Sequence, residues 1–355
     1  HVTTMNKQHN IVRRLTLVVG FAVALSPAHA ATYTWSGGGS DNLWSTAANW
    51  SGTAPTATGH SLIFAGSTRL TPDNTTVTSL NGITFAAGAG SFTLEGTAFT
   101  LNGNIANDST VLQTIENAMT LNGNRIINTG SGGITLKGAV GESGVARVLT
   151  KTGTGTLTLA GANTFTNRLD LNQGTILLDA ASGGSLAAGG DVLLGVFGAT
   201  AVTAVNQGGT FKVLGASSGS TTVTTGKGLY LTGASGANKL IVDSNGGSGT
   251  TLEFSDFNRT GGVGSQPTLN VDLSAPGSAL RFIASAGAPT NGIYPYMTVT
   301  DGTNTGFATR DTGTGMVSRY TASSALPVSG GSSATNYHVS SSHTLTGNVA
   351  ANSLT

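Results

Sequence analysis

Past residue 30 the chain holds three histidines, His60, His338 and His343, and His338 and His343 are the pair close enough in sequence to share a metal. Strand ligands that converge sit two residues apart; five apart, they point to opposite faces. The Ser-rich run around them reads as solvated loop. Carboxylates meet the same test. Glu253 and Asp256 are the nearest acidic pair, and their odd spacing sends them to opposite sides of a strand unless a turn intervenes. Asp301 and Asp311 flank a Gly/Thr run without the Asp-x-Asp alternation of a calcium loop. Gly246 to Leu252 has the glycine spacing of a calcium-binding nonapeptide, yet Thr251 stands where the liganding Asp belongs. No Ser/His/Asp grouping or nucleophile elbow is visible. With no cysteine in the chain, disulfides and thiolate metal sites are excluded. The expectation is a protein without catalytic, cofactor-binding or metal-ligating residues, and so not an enzyme.

Three side chains remain as contact candidates: Trp35, Trp44 and Trp50, the chain's only tryptophans. Aromatic faces can stack on sugar rings, which makes them candidate glycan contacts. The competing use is to cover the open end of a stacked β-fold and keep its first strands from pairing with another chain. The second use is preferred.

The elements that would position such groups follow from composition. Gly numbers 53 and only 9% of residues are charged, which argues against both helix and a charge-solvated disordered chain. One short unit recurs: Phe92-Thr-Leu-Glu-Gly96, Phe99-Thr-Leu-Asn-Gly103, Met119-Thr-Leu-Asn-Gly123, Ile134-Thr-Leu-Lys-Gly138 and Leu157-Thr-Leu-Ala-Gly161, with a looser copy at Leu229. Alternation puts its first and third residues on one face and Thr on the other, and Gly then turns the corner. Units starting at 99, 119, 134 and 157 are spaced near the length of one coil of a parallel β-helix. Inward apolar residues would stack about 4.8 Å from their equivalents one coil away. Asn102 and Asn122 share a repeat position, where stacked amides would form a hydrogen-bonded ladder. A β-sandwich offers similar short strands, but not a repeated unit, so the solenoid is favoured.

The leader reads as export. Lys7, Arg13 and Arg14 precede an apolar run from Leu15 to Leu25, and Pro27 precedes Ala28-His29-Ala30, an A-x-A site for cleavage after Ala30. The run is about half the ~20 residues a spanning helix needs. Without those three, 16 basic residues become 13 against 15 acidic, and no basic cluster remains to hold nucleic acid.

The stretch from Lys151-Thr-Gly-Thr-Gly-Thr-Leu-Thr-Leu-Ala-Gly-Ala-Asn-Thr-Phe-Thr166 through Asn172-Gln-Gly-Thr-Ile-Leu-Leu178 resembles the autotransporter-associated β-strand repeat of bacterial passenger proteins (the passenger-associated transport repeat). Asn167-Arg168 replace its usual Gly pair and Leu169-Asp170 replace two Thr. Tyr33 to Trp50 and Asn291 to Thr309 are similar to segments of large secreted proteins bearing this repeat. The resemblance implies a right-handed parallel β-helix displayed at the cell surface, and implies no catalytic residues. The expected plan is upstream residues and signal peptide over 1–30, a Trp-rich N-terminal cap over 31–66, the parallel β-helix (β-solenoid) over 67–260, and an irregular β-rich segment over 261–355, which is expected to be truncated, with more protein beyond Thr355. Prolines at 267, 276, 289, 295 and 327 should interrupt the ladder there, and 323–343 reads as loop. The expected role is a secreted or surface-displayed structural and adhesive protein, with a carbohydrate-binding or carbohydrate-cleaving β-helix as the alternative. Its expected partners are surface glycans or neighbouring cells. A membrane would be reached only through a C-terminal anchor or translocator.

Overall fold

The computed structural model describes residues 30–355 except 56–57, 188, 197–207, 233–235, 261–266, 285–288, 322–323, 326, 328, 339–343, 345 and 355. The leader and His343 thus lie outside the described residues, as does the side chain of His338.

Because the inward positions are apolar and every second residue is polar, short strands bury one face by stacking in parallel, coil on coil. Three faces result. The first runs from Thr32–Trp35 and His60–Phe64 through Leu149–Thr152 to Leu229–Thr232 and Phe257–Thr260, all parallel. The second runs from Asp73–Asn74 through Ile134–Leu136 and Thr156–Leu159 to Thr268–Asp272 and Tyr294–Asp301. The third is built in two pieces. Phe99–Leu101, Met119–Leu121 and Val140–Glu142 form the first. Ser220–Thr224, Gly249–Phe254 and Ser278–Phe282 form the second. Ile83 pairs with Ile105 and Ile105 with Ile127, so a coil takes 22 residues there. The chain is a β-solenoid, and the described residues contain 3-10 turns but no α-helix. None of their helical segments is long and apolar enough to cross a membrane.

The recurring unit sits on more than one face. Phe99 pairs with Met119 on the third face, and Ile134 with Leu157 on the second. The step from Met119 to Ile134 is therefore a move around one coil, not a full turn. Asn122 Nδ2 donates to Asn102 Oδ1 at 2.8 Å and Asn102 Nδ2 to Ser79 Oγ at 2.6 Å, the amide ladder expected from their shared position.

Sheet ends are closed by the chain itself. Ser51 N donates to Thr34 O at 3.1 Å along the outer edge of the first strand. Asp73 is held by Asn42 and Trp44 through two backbone bonds of 2.8 Å. Val140 donates to Asn163 Oδ1 at 3.1 Å and accepts from Thr164 N at 2.8 Å. At the other end Tyr294–Asp301, Asn304–Arg310 and Met316–Arg319 form an antiparallel meander whose last strand pairs with Ser278–Phe282, joining the second and third faces.

Parallel stacking persists beyond residue 260, through Thr268–Asp272 to Tyr294–Asp301. Pro295 does not break the latter strand, because it lies exposed where the meander's register shifts and no ladder donor is required. The Ser/Gly run also differs from the loop expected of it. Gly330–His338 is a strand between Ser324–Ala325 and Val349–Leu354. Its residues lack apolar alternation because most of them stay exposed, so the burial signal of a strand is missing from the sequence.

Candidate functional site

The three tryptophans sit inside the N-terminal end of the core. Trp35 and Trp44 are 0% exposed and Trp50 2%. Trp50 meets Trp35 edge-on at 5.1 Å and Trp44 at 6.1 Å, and all three surround Phe64. Trp35 Nε1 donates to Arg69 O and Trp50 Nε1 to Trp44 O. Their ring faces are covered by one another, which leaves none for a sugar to stack on: as glycan contacts these residues are corrected to core. The signal for the glycan reading was residue type alone; burial decides against it.

The other residues singled out by spacing are scattered. Glu253 lies on the third face, where Arg281 Nη1 pairs with it at 2.9 Å and Thr224 Oγ1 donates to it at 3.0 Å. Asp256 follows at the corner before Phe257–Thr260. Asp311 caps its own turn, accepting from Thr314 N and Oγ1, and these bonds hold its carboxyl below the usual carboxylate range. His60 is buried against Tyr33, ring centroids 5.0 Å apart. Thr251 stacks in register on Thr222 and Ala279. Among the described residues no group of three or more His, Cys, Asp or Glu is placed to hold a metal.

What spacing along the chain could not show is a column across coils. On the first face Val192 pairs with Leu229 and Leu229 with Phe257. The residues just before them, Asp191, Gly228 and Asp256, therefore occupy one position on three successive coils. The middle one has no side chain, and a notch opens there. Asp191, Lys227, Gly228, Tyr230, Ser255 and Asp256 line it, with Gly226, around about 330 Å³. Gly228 N donates to Asp191 Oδ1 at 3.0 Å. A Cβ on Gly228 would stand 2.2 Å from Asp256 Oδ1 and 2.7 Å from Tyr230 Cε2, so the Asp256 carboxylate and the Tyr230 ring lean over the glycine while Asp191 holds its amide. Burial pushes the Tyr230 hydroxyl above its ordinary range; Asp191 and Asp256 push it further, and a hydrogen bond with Asn258 opposes them. Arg168 lies one coil below Asp191 and pairs with Asp170, which burial pushes up and Arg168 pulls down. The notch can accept hydrogen bonds from a polyhydroxylated or cationic group beside an aromatic edge.

A second depression of about 250 Å³ lies at the C-terminal end, where the corner between the second and third faces meets the meander. Leu273, Val299 and Val317 wall it, and Ser278, Asp301 and Arg319 bring polar groups to it.

Residues 149–178 match the family model of the passenger-associated-transport-repeat. The chain is 30% identical over 130 residues to a protein named Adhesin BmaC autotransporter from Brucella suis biovar 1 (strain 1330). That match covers 37% of this chain and 4% of the relative. No solved structure matches with significance. The chain thus carries a passenger-associated transport repeat. In the fold the matched residues supply Leu149–Thr152, Thr156–Leu159, Arg168–Leu171 and nearly all of Gln173–Asp179, strands of the first two faces that pair with the coils on either side.

Proposed function

We propose that this chain is the exported, surface-displayed part of an adhesive passenger, a solenoid that extends and presents its flanks and does not convert a substrate. The carrying observation is that the matched repeat is an integral run of parallel coils, hydrogen-bonded above and below, so it serves the protein as a building unit. The leader that reads as an export signal and the similarity to a protein named as an adhesin support the same role. Binding would then be spread along exposed polar flanks, with surface glycans or neighbouring cells as the partners.

The test is attachment. Beads coated with residues 31–355 should adhere saturably to cell monolayers, and soluble protein should compete them off. Failure of coated beads to exceed albumin-coated ones refutes adhesion. The carbohydrate-cleaving alternative draws on one observation, the two carboxylates that converge on Gly228. Incubation with mixed polysaccharides and a reducing-sugar assay decides it: release of sugar that disappears in Asp256→Asn would replace the adhesive reading by an enzymatic one.

A further inference from the structure

We infer that the depression at the C-terminal end is a binding site for a carboxylate-bearing saccharide unit of the uronate kind, held by Arg319, Ser278 and Asp301. Val317 is buried in Met316–Arg319, so Arg319, two residues on, shares its core-facing side. Leu280 and Phe282 are buried in Ser278–Phe282, which gives Ser278 the same orientation. Met297 and Val299 do the same for Asp301. Three polar residues thus stand around one cavity of about 250 Å³, Ser278 stacked on Thr250 of the coil below and Asp301 at the exposed rim.

Two of the three have unused hydrogen-bonding capacity. Arg319 Nε and Ser278 Oγ are buried and have no partner. The stem of Arg319 packs over Gly306, where a Cβ would stand 3.1 Å from its Cγ, so the glycine leaves room for the arginine to cross. Among the described residues, Arg319 and Asp301 line the same cavity yet do not form an ion pair with each other. A gap bounded by a guanidinium on one side and a carboxylate on the other fits a ligand that accepts at one end and donates at the other. Guanidinium binds carboxylate through two parallel N–H donors, which names the anionic group. Asp301, exposed at the rim, accepts from hydroxyls, and Leu273 and Met316, the partly exposed apolar side chains of the lining, face the apolar C–H surface of a sugar ring. The volume admits one such unit.

The experiment titrates the folded 31–355 protein with D-glucuronate, D-glucose, acetate and alanine, read by calorimetry and by saturation-transfer NMR. Glucuronate should bind saturably, and glucose and acetate, each supplying half of the match, should bind at least about tenfold more weakly. Arg319→Gln should weaken glucuronate by about tenfold or more; Ser278→Ala, which keeps the fold if the arginine variant does not, should weaken it several-fold. Absence of saturable glucuronate binding overturns the proposal, as does binding indifferent to Ser278→Ala and Arg319→Gln. Acetate binding as tightly shows a simple anion site, and alanine binding more tightly shows an amino-acid site; either replaces the saccharide. Bead adhesion is read separately, so loss of this site leaves the adhesive reading standing.

Discussion

Lys151 offers the sharpest test of the stacking. Its column on the first face reads Ile83, Ile105, Ile127, Lys151, Leu171, Leu194, Leu231 in successive register. A lysine thus replaces an aliphatic residue in the core, 0% exposed. Its Nζ lies within hydrogen-bonding distance of four acceptors that share its N–H groups, Thr129 Oγ1 at 2.9 Å and the carbonyls of Thr152, Gly153 and Gln173 at 3.1, 2.6 and 2.9 Å. Burial pushes its pKa from 10.5 to about 7. The folded chain therefore releases this proton before the unfolded chain does. Below about pH 7 both states hold it and the charge is disfavoured to a constant degree; between about 7 and 10.5 only the unfolded state holds it, so stability rises with pH. The slope is about 1.4 kcal/mol per pH unit, or about 4 kcal/mol between pH 7 and 10. Lys151→Met keeps the stem and removes the titration. Urea unfolding followed by circular dichroism from pH 6 to 10 should show wild type gaining on the variant by about that amount, since all other lysines cancel in the difference. Parallel stability profiles for the two proteins would show that the amine is not confined in the core, and the register of this column would be wrong.

Three further outcomes follow from the same geometry. Trp44→Ala opens a cavity beneath Trp50 and Phe64 and should cost about 3–5 kcal/mol, read as a fall in thermal midpoint. Gly174 has φ +76°, and a Cβ there would stand 2.5 Å from Gly153 O and 2.7 Å from Lys151 Nζ; Gly174→Ala should destabilise by about 2 kcal/mol or more in urea. Asn163→Ala removes the carbonyl that satisfies Val140 N and the amide that holds Gly161 O and Ser185 O at 2.8 and 2.9 Å. Its cost should be about 2–3 kcal/mol, with faster hydrogen exchange at the Val140 amide as the local readout.

The fold was legible because one signal dominates it. Alternation in Met119-Thr120-Leu121 and its copies specifies a strand with one buried face, and repetition specifies what buries it. Which face a copy occupies was not legible, since Ile134-Thr135-Leu136 and Met119-Thr120-Leu121 look alike and differ only in what precedes them around the coil. The strand Gly330–His338 was missed for the opposite reason: exposed on most of its length, it carries no apolar period.

The polar features were illegible for a cause particular to this architecture. In a helix or a hairpin, groups that act together lie two to five residues apart, and a spacing test finds them. In a solenoid, neighbours in space are a whole coil apart. Asp191, Gly228 and Asp256 meet because 37 residues, then 28, separate equivalent positions on the first face. Testing Glu253 against Asp256 asked about the wrong neighbours: the first belongs with Thr224 and Arg281, the second with Gly228 and Asp191. Once register is known, the useful signal is a column that breaks its own pattern. A glycine between two aspartates, a lysine among aliphatics, and an arginine two residues from buried Val317 are each such a break. A residue inconsistent with its column costs stability in a fold that otherwise gains by repetition, and such departures are where specific function is expected in a repetitive chain. Register and not chain proximity is thus the coordinate in which this protein's chemistry has to be read.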